Sequence, residues 1–442
     1  MLLNGFGIDI SHGCAGEYKA HADRVQRVTR GSKPAYTARS MSVLPVLAWF
    51  LLVIAVLATV YWVIVLVRVR RIASTRPTVR CGLDSPEPDG GWPSVSVIIP
   101  AHNEERVIER CVRSILDQEY PCLEAIVVLD RCTDRTLEIL QSIASEDDRL
   151  LLIENDDCPP DWAGKCNAAK IGSSRAGGDM LLFVDADTDA HRDVVRAAVG
   201  LARERGLDLL SLLSTLTCNS AFERNSQPVA SMTLMSLYPM DIINRPSQKR
   251  SFANGQFMLF ERERYESIGG HDAVKEVLLE DIAFARCVNR AGGRIHILNA
   301  DGMFNCSMYS TPEAFRNGWM RIFIEGCRRK PARMRKIAFR VLFTGCILPL
   351  AMVLAVGTGL ATFMLSNHLV GLMTMSAGFF CLLMQFGTLA EIHRMGRQPM
   401  SSVWRHPLGA VVVSGILRRA AEVISSGTPV VWAGKTYILE PR

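Results

Sequence analysis

MLLFVDADTD, residues 180–189, runs from five apolar side chains straight into three aspartates spaced two apart. A short unbroken apolar run that stops at polar residues reads as a strand buried on both faces. Carboxylates at i and i+2 after such a strand, here Asp185 and Asp187, converge on the loop that leaves it. A hard divalent cation such as Mg2+ or Mn2+ wants oxygen ligands and usually takes one or two carboxylates, with substrate phosphates completing the shell. A nucleotide-sugar diphosphate needs such a metal, because it offsets charge building on the leaving group. The same pattern also fits a plain polar loop with helix-capping aspartates.

Outward from this stretch, β-branched runs alternate with amphipathic ones. VSVII (95–99), EAIVVL (124–129) and LLLIE (150–154) read as strands, and helices are expected over Glu104–Leu116, Thr133–Ala144 and Lys165–Ala176. Such alternation predicts an α/β fold with a mainly parallel sheet covered by helices on both faces. Ligands then sit beyond the carboxyl ends of the strands. The polar residues lie there: His102, Asn103 and Glu104 after the first strand, Asp130 after the second, Asp185 and Asp187 after the fourth. VSVIIPAHNEE (95–105) ends its strand with Pro100 and polar groups able to hold a base and ribose. WAGKCNAA (162–169) supplies a glycine and Lys165, which can reach a diphosphate or serve as an ordinary helix-start lysine. LLEDIAFA places Glu280 and Asp281 at the start of an amphipathic helix. A carboxylate there can take a proton from an acceptor hydroxyl, or simply complement the helix dipole.

In order, PAHNE, DRCTDRT, GKCNA, DAD and ED match the motifs of family 2 glycosyltransferases. Residues 93–300 resemble the catalytic domain of that family, which has the A-type glycosyltransferase fold. The resemblance implies that Asp130 contacts the nucleotide base, Asp187 binds the metal and Asp281 is the base of an inverting transfer. Asp185 would lie against the ribose or the metal, and Glu280 would orient Asp281 or cap its helix. The PPDWAGKCNA loop, ANGQFMLFERERYESIGGH (253–271) and a C-terminal GTPVVWAGKTY are similar to bacterial hopanoid-associated and carotenoid-type members. Gly255 and Gln256 in that stretch, with Trp319 and Arg321 further on, are the candidate acceptor contacts. Processive polysaccharide synthases and ceramide glucosyltransferases carry Q-x-x-R-W after the ED; here FRNGWMRIFIEG (315–326) has no Arg-Trp pair. That departure counts against a polymerase and a ceramide-type acceptor site.

Of the 442 residues 49% are apolar, and mean hydropathy is positive, which directs attention to membrane segments. Thirteen cysteines include no CxxC pair, against a zinc site or a disulfide framework and in keeping with a reducing compartment. Met41–Val67 carries no charge and is long enough to cross a hydrocarbon core of roughly 30 Å. Val341–Leu365 and Leu369–Ala390 form a second and third uncharged run, separated only by Ser366, Asn367 and His368, as in a transmembrane helical hairpin. Pro407–Leu417 is too short to span and is expected to be re-entrant or interfacial. Arg68, Arg70, Arg71, Arg76 and Arg80 follow the first run, and Arg328, Arg329, Lys330, Arg333, Arg335, Lys336 and Arg340 precede the second. By the positive-inside rule the segment between them is cytosolic. Arg24, Arg27, Arg30, Lys33 and Arg39 would then lie outside; a true start at Met41, with 1–40 a disordered or artefactual extension, removes the conflict.

The expected organisation is an extension (1–40), a span (41–67), a linker (68–92), a catalytic domain (93–327), a basic juxtamembrane segment (328–340), a hairpin (341–390) and a C-terminal segment (391–442). The expected activity is inverting, metal-dependent transfer from a nucleotide sugar to the hydroxyl or carboxyl of a lipid-like or isoprenoid-type acceptor. It would act at the cytosolic face of the inner or plasma membrane, with no nucleic-acid partner. VASMTLMSLYPMDII (229–243) can line a groove for such an acceptor or be ordinary core. Alternatives are a polysaccharide or cell-wall glycosyltransferase, a non-catalytic nucleotide-sugar-binding membrane protein, and a small transporter. Loss of the DAD or ED would favour the non-catalytic reading, and both are intact. The uncharged interiors of the spans give a transporter no polar substrate pathway.

Overall fold

Apolar, β-branched runs become strands and the amphipathic stretches between them become helices. The computed structural model describes residues 36–75, 78–245, 251–277, 279–432, 435–437 and 439–440. Helix α1 spans Tyr36–Thr75. The α/β part follows with β1 (Val95–Ala101), α2 (Ile108–Leu116), β2 (Leu123–Asp130), α3 (Thr136–Ala144), β3 (Leu150–Asn155), α4 (Gly164–Arg175) and β4 (Met180–Val184). Then come β5 (Thr188–Ala190), α5 (Val194–Arg205), β6 (Leu209–Leu213), β7 (Thr215–Leu216), α6 (Ala221–Leu237), α7 (Met240–Ile243), β8 (Phe257–Glu261) and α8 (Arg262–Ser267). The described elements continue with α9 (Glu280–Arg290), β9 (Ile295–Asn299), β10 (Phe304–Cys306), α10 (Pro312–Gly326), α11 (Pro331–Leu342), α12 (Leu348–Leu365), α13 (His368–Met395) and α14 (His406–Ser426). A two-stranded ribbon, β11 (Val430–Trp432) and β12 (Lys435–Tyr437), follows.

The main sheet has the order β3-β2-β1-β4-β8-β6-β9. It is parallel apart from β8, which runs antiparallel to both β4 and β6. All five residues of β4 are buried, as a central strand covered on both faces requires. A small sheet, β5-β10-β7, stands at the end of β4 and carries the aspartate loop away from it.

Two helices start later than their sequence pattern predicts. Asn103 takes a left-handed conformation, φ 59°, and the backbone N–H groups of Glu104 and Glu105 donate to Thr136 Oγ1 and Asp134 Oδ2. Residues 104–107 therefore turn against the next loop, and α2 begins at Ile108 rather than Glu104. Asp134 Oδ1 in turn accepts from the N–H and the hydroxyl of Thr136. That local turn competes with helix and moves the start of α3 from Thr133 to Thr136.

A second core joins α6, α10, α11 and α14 through Val229, Phe315, Trp319, Phe323, Met334, Ala410, Val413 and Leu417. Trp319 is 2% exposed, stacks obliquely on Phe323 at 5.4 Å and donates its indole N–H to Gln227 Oε1. The run at 407–417 is thus the first part of a longer helix whose inner face is core. Its Gly409, Ala410 and Ala421 let it lie close to its neighbours, and a Cβ on Gly409 would stand 2.1 Å from the Asn225 carbonyl oxygen.

The chain divides into two compact units, Val60–Leu350 with Leu383–Arg442, and Met1–Thr59 with Ala351–Leu382. In the second, Val46, Phe50, Leu57, Leu354, Met364 and Phe379 are exposed, which suits lipid rather than water. Thr374 Oγ1 donates to the Ala48 carbonyl, and a Cβ on Gly371 would meet the Phe363 nitrogen at 2.2 Å. Such close backbone approach through glycine is the packing mode of membrane helices. Three helical stretches, Val43–Asp84, Pro331–Leu365 and His368–Met395, are long and apolar enough to cross a membrane. Residues 1–35, with Arg24, Arg27, Arg30 and Lys33, and also Arg76, lie outside the described residues.

Candidate active site

Strands β1, β2 and β4 end side by side, so the polar residues that follow them face one cavity of about 700 Å3. Its first wall is the loop after β1. Pro100 is the last but one residue of the strand, and His102 Nδ1 donates to the Asp130 carbonyl at 2.5 Å, since a carbonyl can only accept. Asn103 Oδ1 accepts from the backbone N–H of Thr133 at 2.7 Å. Glu104 lines the cavity, and burial, with the charges of Asp187, Asp185 and Asp134, pushes its carboxyl up to about 7.

Asp130 is 3% exposed at the end of β2. Arg131 clasps its carboxylate through Nε and Nη2, at 3.1 and 2.6 Å, and Asn155 Nδ2 donates to it at 2.9 Å. Arg131 holds a positive φ of 52°, unusual for a side-chain-bearing residue. Its N–H donates to the Asn155 carbonyl.

Lys165 is the second residue of α4 and projects between the two acidic motifs. Its Nζ stands 2.7 Å from Asp185 Oδ1 and 2.5 Å from Glu280 Oε1. Burial works against its charge, but these two carboxylates outweigh that and keep it protonated well above the usual lysine range. Lys165 therefore ties the aspartate loop to the start of α9, with its side chain still 37% open to the cavity. Burial would raise Glu280, yet Lys165 and the Glu280 backbone N–H hold it below the ordinary range. Asp185 remains raised, because burial there exceeds what Lys165 returns.

The other member of each acidic pair is treated differently. Asp187 is raised to about 7, first by burial and then by Asp185. The Cys306 thiol donates to its Oδ1 at 3.4 Å, and Ser307 N–H donates to its carbonyl, which pins β5 beside β10. Asp281 is raised to about 7 by burial and by Glu280, while Oδ2 accepts from the Gly255 N–H at 2.9 Å. A Cβ on Gly255 would lie 3.3 Å from both Lys165 Nζ and Glu280 Oε1, so glycine lets this backbone approach the charged cluster.

Gln256 Nε2 donates to Cys306 Sγ and its Oε1 accepts from Asn254 Nδ2. Arg321 lines the cavity, with burial lowering its pKa. Trp319 does not line it. It sits in the second core and on the wall of a neighbouring apolar cavity. Sequence reading did not single out Cys306, Asn254 or Asp134. Asn254 adjoins the quoted Gly255 and Asp134 lies inside a quoted motif, whereas Cys306 arrives only through the pairing of β10 with β5.

The donor set fits a hard cation. No ion pair forms on Asp187 among the described residues, and Asp185 beside it already shares a lysine. Among those residues no group of three or more His, Cys, Asp or Glu is set to enclose a metal.

Residues 96–269 match the family model described as glycosyl transferase family 2. Curated relatives include 4,4'-diaponeurosporenoate glycosyltransferases of Staphylococcus haemolyticus, 25% identical over 231 residues, and Staphylococcus aureus, 27% identical over 235 residues. Each match covers 52% of this chain, and the chain spans 60% of the length of the relative. Among solved structures, a mannosyltransferase of Pyrobaculum calidifontis, PcManGT, in complex with GDP-Man and Mn2+, is similar with a TM-score of 0.45 and 18% identity. That likeness covers 85% of this chain and 99% of that one. TarS residues 1–349 of S. aureus in complex with UDP-GlcNAc has a TM-score of 0.37 and 15% identity, covering 78% and 96%. The ordered motifs, the mostly parallel α/β sheet that places them round one cavity and the family match agree over one stretch: residues 96–269 are similar to glycosyl transferase family 2.

Proposed function

We propose that the protein transfers a sugar, with inversion, from a nucleotide-sugar donor to the hydroxyl or carboxyl of a lipid-like acceptor at the cytosolic face of the cell membrane. The observation that carries this reading is the Asp185–Lys165–Glu280 bridge, which joins the DAD and ED motifs while leaving Asp187 and Asp281 in the cavity with carboxyls near 7. Asp187, with Asp185 beside it, would hold Mg2+ or Mn2+. Bound there, the cation would offset charge on the departing diphosphate. Asn103, His102 and Asp130 line the part of the cavity suited to the base and ribose.

On the acceptor side, Asp281 takes the proton. The acceptor oxygen forms a bond to the anomeric carbon as the bond to the nucleoside diphosphate breaks, and the O–H proton passes to the Asp281 carboxylate. A general base works best with a pKa near the operating pH, and about 7 meets that condition. The N–H of Gly255 aims the carboxylate. An acceptor that arrives as a carboxylate needs no base, so dependence on Asp281 separates the two acceptor types. The carotenoid-type relatives, the exposed apolar helices and the flanking arginines support a membrane acceptor and a cytosolic site.

The test is to incubate the full chain in membranes with a panel of radiolabelled nucleotide sugars. Label should enter the organic phase with one of them. Label found only in the aqueous phase, in polymer or as free sugar, would remove the lipid acceptor.

A further inference from the structure

Beside the polar cavity lies a second, of about 600 Å3, whose walls are mainly apolar. That is the size of a site for one small molecule or one chain. Met232 and Met235 of α6 form one side, and Tyr61, Trp62 and Val65 of α1 form another. The two cavities share wall residues, among them Leu234, Phe252, Asn254, Gln256 and Met308. An occupant of the apolar cavity can therefore present one end to the catalytic groups without leaving its groove.

We propose that this second cavity binds the hydrocarbon of a single-chain apolar acceptor, which enters from the bilayer beside α1 and offers a terminal hydroxyl or carboxyl past Asn254 and Gln256 to Asp281. The inference rests on the glycosyl-transfer reading above and specifies its acceptor. Three observations select this occupant. The part of α1 that forms the wall, from Tyr61 to Ile72, follows directly on the exposed apolar stretch of the same helix and carries Arg68 within it, the position expected at the edge of the hydrocarbon. Among the described residues, charged side chains reach the cavity only as Arg68 and Arg340, both exposed and already engaged, with Asp241 and with the Ser236 hydroxyl. An oligosaccharide would find few partners for its hydroxyls against the methionines, and leaving them unpaired costs free energy. The methionines also suit a chain of irregular shape, because their unbranched side chains adapt to it. The stretch 229–243 is therefore divided in two. Val229, Ala230, Leu237 and Ile243 are core, while Met232 and Met235 line the groove.

The experiment uses the full chain in detergent micelles and hexadecanol carrying a diazirine at its methyl end. After irradiation, label is expected in peptides covering 60–72 and 228–236, and unlabelled hexadecanol should suppress it. Met232→Trp fills the groove. It should cut both labelling and transfer to hexadecanol by about tenfold or more, the effect of some 1.4 kcal/mol of lost contact, with nucleoside diphosphate binding unchanged. Met232→Ala, which cannot overpack the site, should shift transfer toward longer alcohols. Label spread over other helices, or unaffected by Met232→Trp and by competitor, overturns the proposal. Should the unaltered chain bind no nucleoside diphosphate, the transfer reading falls, and the label map still decides whether the groove takes a chain.

Discussion

The aspartate loop after β4 and the acidic start of α9 are two versions of one device. Each has a carboxylate on Lys165, Asp185 in the loop and Glu280 in the helix, and each has a second carboxylate, Asp187 or Asp281, raised to about 7. They differ in how the paired member ends up. Glu280 is held low, helped by the backbone N–H at its helix start, while Asp185 stays raised. One lysine thus divides four acidic groups into two that organise and two that remain reactive. The loop keeps spare negative charge, as a cation site needs. The helix end keeps Glu280 ionised against Lys165, and that charge, with burial, raises Asp281 into the range of a base.

Asp281→Asn breaks this comparison most severely. General-base catalysis is typically worth about 100- to 10,000-fold, so transfer to a hydroxyl acceptor should fall by that order. Donor affinity should hold, because the lost interaction belongs to the transition state. Transfer rate and donor affinity are measured on the same protein, and near-normal transfer would return Asp281 to a merely structural place. Next in size, Asp187→Ala should weaken cation-dependent binding of a nucleoside diphosphate by about ten- to a hundredfold, the value of one charged contact. Calorimetric titration with and without a chelator reads this, and equal binding in all arms would remove the metal role.

Lys165→Met sharpens the comparison by leaving both pairs uncompensated. Loss of a partner to charged groups costs about 1–3 kcal/mol, with the lower part of that range expected because the lysine is 37% exposed. Thermal unfolding should show it, and Lys165→Arg should restore part of the loss. A further effect is on pH dependence. Asp187 has an ordinary carboxyl when unfolded and one near 7 when folded. Between about pH 4 and 7 the folded form therefore keeps a proton that the unfolded chain has released, so stability falls as pH rises through that window. A melting curve series should show this slope, and Asp187→Asn should reduce it, with Glu104 and Asp281, which are also raised to about 7, supplying the remainder.

Much of this was legible because the parallel half of the sheet is made of strands whose residues are apolar without interruption. The runs at 95–99, 124–129 and 150–154 each lengthened by only a residue or two at the ends. Placing polar residues after those strands gathered Asn103, Asp130, Asp185 and Asp187 in one cavity without knowledge of the strand order. What depends on distant pairing was not legible. Nothing near Lys165 announces that its partners are Asp185 and Glu280, and Cys306 meets Asp187 only because β10 lies against β5. Trp319, expected among the acceptor contacts, is buried in the second core and also lines the apolar cavity, a placement that depends on helices far apart in sequence. That core is built from helices of four separate stretches, which no local period encodes. The helix starts were misplaced for a different reason. Asp134 and Thr136 hold a turn that competes with the helical pattern on either side.

The second core also sets an order of events during synthesis. Its members α6, α10 and α11 precede the apolar hairpin, and α14 follows it. The unit Val60–Leu350 with Leu383–Arg442 is therefore interrupted in sequence by Ala351–Leu382. A ribosome releases the first three helices before their fourth partner exists, and between them it must deliver a segment suited to lipid. The apolar faces of Phe315, Trp319 and Phe323 wait through that interval. Completion of the larger unit is thus coupled to synthesis of the apolar hairpin, because its last packing partner arrives only after that segment.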